Sequence, residues 1–194
     1  DSVLEADSIE LLRETKILNA AGNVRAVFPQ TPAPAAAGAP QSSAKKAAIW
    51  HISSATLSYS DETNMAHLEK NVVVQSPDQR IRAPEMDLYF TRGAGNTAHS
   101  TTGATAKTGA QQISRAVGTG GVIVDQGGRR ATAERGEYTA SDGKFVMSGG
   151  NPTLYDSSEG TTTGRQLTFF LADDTIIVDS ENGLRTLTKH RVEK

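Results

Sequence analysis

One short signature recurs five times along the 194-residue chain: a small residue, then large apolar residues three and five positions later. The copies are Ala6-Asp7-Ser8-Ile9-Glu10-Leu11, Ser54-Ala55-Thr56-Leu57-Ser58-Tyr59, Ala83-Pro84-Glu85-Met86-Asp87-Leu88, Ala133-Glu134-Arg135-Gly136-Glu137-Tyr138 and Gly164-Arg165-Gln166-Leu167-Thr168-Phe169. Gly136 alone departs from the pattern. Each copy is followed by a pair of turn- or bulge-forming residues: Gly22-Asn23, Lys70-Asn71, Gly120-Gly121, Gly150-Asn151 and Asn182-Gly183. From the small residue to the second member of the pair, or to Asn182 in the last copy, the spacing is 17, 17, 38, 18 and 18. A unit repeated about every 30 residues with turn residues in phase predicts hairpins stacked side by side.

The signature also predicts shape. Strict alternation in a strand places inward residues two apart, so an offset of three marks a bulge or bend. A bend repeated in every unit folds the sheet over. The expected architecture is all-β: a twisted, folded-over antiparallel jelly-roll of about five hairpins, apolar on its concave face and ending in open edge strands. The runs Val72-Val73-Val74, Val122-Ile123-Val124 and Leu167 to Leu171 have the β-branched and aromatic character of half-buried strands. Ser8 to Leu18 carries a helix-like spacing, but its place in the repeat favours two strands joined at Glu14-Thr15.

Two stretches interrupt the repeat. Residues 29–48 contain Pro29-Gln30-Thr31-Pro32-Ala33-Pro34, and residues 93–110 are rich in Gly, Thr and Ala. Neither composition buries enough apolar surface to offset ordering entropy, so both are expected to be flexible insertions. The second replaces a tight turn such as Ser141-Asp142-Gly143-Lys144. Removing about 18 residues from each long gap restores the period, which makes the chain one domain, 1–194, rather than two.

Composition narrows the chemistry. A net charge of −2 offers no concentrated basic surface for nucleic acid. Without cysteine there is no disulfide, thiolate nucleophile or zinc–thiolate site. His51, His67, His99 and His190 lack metal-ligand spacing, so neither metal nor cofactor is expected. The glycine clusters at Gly93-Ala94-Gly95 and Gly118-Thr119-Gly120-Gly121 precede no helix pattern, and no G-x-S-x-G elbow is present. Asp173-Asp174 and Glu134/Glu137 sit at hairpin tips or outward positions rather than as a glycosidase pair. No apolar run reaches transmembrane-helix length. The chain begins at Asp1, which reads as a trimmed mature region without its signal peptide or anchor.

The residues from Gly128 to Val192 resemble the OstA-like (LptA-type) periplasmic lipopolysaccharide-transport family. The likeness is carried by Ala131 to Tyr138, by Phe145-Val146-Met147-Ser148-Gly149-Gly150-Asn151-Pro152-Thr153-Leu154, by Thr163 to Phe169, and by the basic closing segment Arg185 to Val192. Weaker copies extend to Val3. Arg165 stands where the family usually has an acid. The resemblance implies a periplasmic protein that holds the acyl chains of lipopolysaccharide in an apolar trough, carries or bridges them between membranes, and joins homologous transport domains edge to edge.

The expected lining comes from the repeat: Leu57 and Tyr59; Val72 and Val74; Met86, Leu88 and Phe90; Val122 and Val124; Tyr138; Phe145 and Met147; Leu154; Leu167 and Phe169; Ile176 and Val178. These either contact lipid or pack on one another as a closed core. The expected partner edges are Val3, Ala6, Ile9 and Leu11 at one end and Leu184, Leu187 and Val192 at the other, with strand addition or head-to-tail homo-oligomers as the outcome. Arg185, Lys189, His190, Arg191 and Lys194 meet lipid phosphates or a partner's carboxylates, or simply solvate the edge. A structural or adhesion β-repeat domain is the alternative function, and a β-solenoid carbohydrate enzyme the remoter one.

Overall fold

The computed structural model describes residues 3–30, 48–77, 79–92, 111–157, 160–170, 175–179 and 185–188. Among the described residues fourteen strands form one antiparallel sheet: β1 (Val3–Glu5), β2 (Ser8–Leu12), β3 (Ile17–Gln30), β4 (Ala48–Ser60), β5 (Met65–Gln75), β6 (Gln79–Arg92), β7 (Gln111–Gln126), β8 (Arg129–Thr139), β9 (Lys144–Ser148), β10 (Thr153–Asp156), β11 (Gly160–Thr163), β12 (Gln166–Phe170), β13 (Thr175–Asp179) and β14 (Arg185–Thr188). The five repeats are the hairpins β2/β3, β4/β5, β6/β7, β8/β9 and β12/β13, and the helix-like Ser8–Leu18 stretch is the first of them.

A crease crosses the strands and divides the sheet into two leaves. On one side, the long leaf runs β2-β3-β4-β5-β6-β7-β8-β9-β12-β13-β14; on the other, the short leaf runs β1-β3-β4-β5-β6-β7-β8-β10-β11. The long strands belong to both. At the crease each signature strand contributes one residue, Ala55, Pro84 or Glu134 in the continuous strands, against two from its neighbour, so the ladders shift register there. Opposing pairs have positive φ: Gly22 and Asn23, Lys70 and Asn71, Gly120 and Gly121. These three pairs are therefore mid-strand bulges, whereas Gly150-Asn151 falls in the break between β9 and β10 and Asn182-Gly183 lies outside the described residues; separate turns such as Ser141–Gly143 reverse the chain.

The line of bulges explains the signature's odd offset. In β4 the inward positions run Trp50, Ile52, Ser54 and resume at Leu57 after a one-residue step through Ala55. In β5 they run Ala66, Leu68 and resume at Val72 after the two-residue step through Lys70-Asn71. Alternating short and long steps keep both leaves apolar on the same side while the sheet folds. At Gly121, φ is 109°, a conformation that side chains avoid.

Gly136 is inward-facing and paired with Gly118. A Cβ on it would stand 2.6 Å from Phe145 Cζ and 3.0 Å from Val122 Cγ1. It departs from the signature because the Phe145 ring occupies the space a large residue would need.

Residues 31–47 join β3 to β4, and residues 93–110 join β6 to β7; both lie outside the described residues. The first ladder carries on into the stretch read from sequence as an insertion, since Pro29 pairs with Ile49 and Gln30 with Ala48.

Candidate functional site

The apolar faces of the two leaves form one continuous cluster. From the short leaf come Val24, Ala26, Trp50, Ile52, Val72, Val74, Ile81, Val122, Val124 and Leu154; from the long leaf come Leu57, Leu68, Met86, Leu88, Phe90, Ile113, Tyr138, Phe145, Met147, Leu167, Phe169, Ile176 and Val178. All the lining residues expected from sequence lie here, buried, with Tyr59 packed against the cluster and partly exposed. The interior is filled. Phe28 of the short leaf meets Phe90 of the long leaf with ring centroids 5.3 Å apart, and Trp50 meets Tyr138 at 5.4 Å. Tyr59 adds an edge contact to Phe90 at 6.0 Å. Such tilted and edge-to-face pairs are the favoured aromatic geometries.

These contacts also show how the leaves cross. Trp50 lies on β4 and Tyr138 on β8, and β3 lies against β7 as well. The twist therefore sets the start of the short leaf over the middle of the long leaf. The start of the long leaf is left uncovered. On β2, Ile9 pairs with inward Ala20 and Leu11 with Leu18, yet they are 49% and 59% exposed. The interior has an open mouth at this end.

Among the described strands no ladder joins the free margin of one leaf to that of the other, so the folded sheet is unsealed opposite the crease. The edges agree with this. Among the described strands β1 and β2 pair only with β3, and β14 only with β13. Of the expected edge residues, Val3 lies in β1, Ile9 and Leu11 in β2, Ala6 between them, and Leu187 in β14. Leu184 and Val192 lie outside the described residues, as do Lys189, His190, Arg191 and Lys194.

Among the described residues charge is confined to the outer face and the margins. Arg115 Nε donates to Glu137 at 2.7 Å and stacks over the Tyr89 ring, with Arg135 also on Glu137. The Arg115 hydrogen bond holds the Glu137 carboxyl below its ordinary range despite some burial. His67 Nδ1 lies 2.6 Å from Asp87 Oδ1, and that hydrogen bond raises the imidazole pKa against the opposing effect of burial. Among the described residues the buried polar ones are Ser54, Thr168 and Thr175; the Ser54 hydroxyl donates to the Thr56 carbonyl at 2.9 Å. At the inner margin of the short leaf Arg129 and Asp156 face each other at 3.7 Å. Among the described residues no cluster of His, Asp and Glu could hold a metal ion.

Sequence reasoning missed Phe28, Trp50, Leu68 and Ile113. Phe28 and Trp50 flank the first low-complexity stretch and Ile113 follows the second, where alternation is cut short. The pattern Trp50-Ile52-Ser54 was the available signal.

The model of the family described as LptA/(LptD N-terminal domain) LPS transport protein matches residues 51–175. The chain belongs to this family. It is a transport family and not an enzyme family, which removes the carbohydrate-enzyme reading. The crystal structure of LptH, the LptA-homologous periplasmic component of the lipopolysaccharide transport device of Pseudomonas aeruginosa, superposes with a TM-score of 0.53 at 9% identity, over 73% of this chain and 95% of that one. At that identity the likeness is one of fold. No curated protein matches the sequence.

Proposed function

We propose that this lipopolysaccharide-transport protein works in the periplasm by holding acyl chains between its two leaves and passing them along the trough to homologous domains docked at its edges. The observation that carries this reading is the continuous apolar interior, which opens at β2 and, among the described strands, is sealed by no ladder along the margin. Because the interior is filled, an acyl chain enters by spreading the leaves and replacing cross-leaf contacts such as Phe28–Phe90 and Trp50–Tyr138. Side chains then trade contacts with one another for contacts with lipid. The net gain comes from the lipid's own surface, about 0.8 kcal/mol per methylene removed from water, less the work of separating the leaves. The crease supplies the axis for that motion, since among the described residues the leaves are joined by the strands that run through both and by no separate hydrogen-bond ladder.

Strand addition follows from the same geometry. β2 presents a row of unpaired backbone groups beside exposed Ile9 and Leu11. A partner edge strand satisfies the row and covers the apolar mouth together.

Trp50, the only tryptophan, reports the motion. Titration with a hexa-acylated glycolipid is expected to change Trp50 emission saturably, and Trp50→Phe should bind without the signal. Absence of binding to any acylated glycolipid, or binding that leaves Trp50 emission unchanged, removes the reading.

A further inference from the structure

The outer face of the short leaf carries a concentration of arginine that no part of the trough uses. Across adjacent strands, Gln75 on β5 pairs with Arg80 on β6, Arg80 with Asp125 on β7, and Asp125 with Arg130 on β8. Arg82, two residues along β6, reaches diagonally into the same row. Period-two alternation forces these side chains outward, because Ile81, Val124 and Ala131 between them point into the core. Three guanidiniums and one carboxylate thus line a shallow depression together with Gln75 and Ser76.

The carboxylate organises the cluster without filling it. Asp125 Oδ1 accepts from Arg130 Nε at 2.6 Å and Oδ2 from Arg82 Nη2 at 2.7 Å. Arg80 turns its Nε and Nη2 onto the Gln75 amide oxygen at 3.1 and 2.8 Å, a neutral acceptor that leaves its charge uncompensated by that contact. Arg82 Nε is buried and makes no hydrogen bond among the described residues. Three positive charges less one negative leave a local excess of two among these side chains.

That excess selects the ligand class. A guanidinium fork matches carboxylate and phosphate alike, but a phosphomonoester carries close to two negative charges at neutral pH and accepts from several directions at once. The position fits as well. Arg80 and Arg130 lie beside the β5–β6 and β7–β8 turns, at the free margin of the short leaf, on strands whose inner faces carry Ile81 and Ala131 and whose neighbours carry Val74 and Val124. A lipid seated between the leaves there would bring its polar end out over this margin.

We infer that Arg80, Arg82 and Arg130 form a phosphomonoester-binding site at the lip of the short leaf, and that it receives the headgroup phosphate of an acylated glycolipid whose chains occupy the trough. The second clause rests on the function proposed above; the first stands without it.

The test compares three probes by isothermal titration: a phosphorylated hexa-acylated glycolipid, the same glycolipid with its phosphates removed, and inorganic pyrophosphate. The wild-type chain is expected to prefer the phosphorylated glycolipid by about tenfold. Arg80→Gln with Arg130→Gln should bring the ratio near one while binding of the dephosphorylated glycolipid is unchanged. Arg130→Gln alone, at a side chain 58% exposed, keeps the fold and should lose at least about threefold of the preference. No preference in the wild type, or a preference that survives in the variants, overturns the lipid assignment. If neither glycolipid binds, the trough reading fails, and pyrophosphate decides the site by itself. Arginine Nε–H resonances of residues 80, 82 and 130 that shift saturably with pyrophosphate sustain it, and resonances that do not move overturn it.

Discussion

The first and last copies of the signature are chemically alike and meet opposite fates. Ile9 and Leu11 on β2 are about half exposed, whereas Leu167 and Phe169 on β12 are 0% and 4% exposed. Both pairs face the concave side, so side-chain direction is not the difference. Neighbours are. β12 lies between β9 and β13 and sets Phe169 against the Phe145 ring at 6.4 Å, while β2 has β3 alone and no covering leaf. A signature specifies which way a residue points, and the twist of the whole sheet decides whether anything is there to meet it.

The comparison breaks most directly on stability. Leu167→Ala should cost about 3 kcal/mol, as truncation of a fully buried leucine does, and Leu11→Ala less than about 0.5 kcal/mol. Urea unfolding of both variants measures this, and equal losses would mean that β2 is covered in solution. Leu11→Asp should leave the midpoint of unfolding in place while abolishing any concentration-dependent association seen by light scattering over a wide dilution series. Monomer at every concentration in the parent chain would count against edge docking.

A smaller effect is expected at the fourth copy. Gly136→Leu restores the signature and should nonetheless destabilise by about 2 kcal/mol, because Phe145 already fills the site. A neutral or stabilising result would show that the ring moves aside.

The smallest effect belongs to the outer face. The Asp87 hydrogen bond raises the His67 pKa above 6.5, so the pair's contribution is complete below that value and fades as pH rises through the higher folded value. The stability difference between the parent and His67→Asn should therefore shrink between pH 6 and pH 8. A difference that grows with pH would mean the imidazole is held neutral. The side chain is well exposed, and solvent screening keeps the effect minor.

Much of this was legible in the residues. The three-residue offset required a bend, and the Gly/Asn pairs placed it, since backbone geometry is local. The pointing of Met86, Leu88 and Phe90 followed from period two alone. Leaf crossing was not legible: that Trp50 meets Tyr138 depends on twist accumulated over the intervening strands, which no window of sequence records. Gly136 read as a misfit because its reason, the Phe145 ring, sits on the neighbouring strand. The arginine row was hidden for a similar cause, as Arg80, Asp125 and Arg130 come from three strands and meet only through register.

The crease has a further consequence. Its one-residue and two-residue steps alternate from strand to strand, so a lone strand inserted between two others would put two like steps side by side and leave the fold line out of joint. A molecule built this way grows from within by whole ribbons, two strands at a time, and single strands can be added only at its ends.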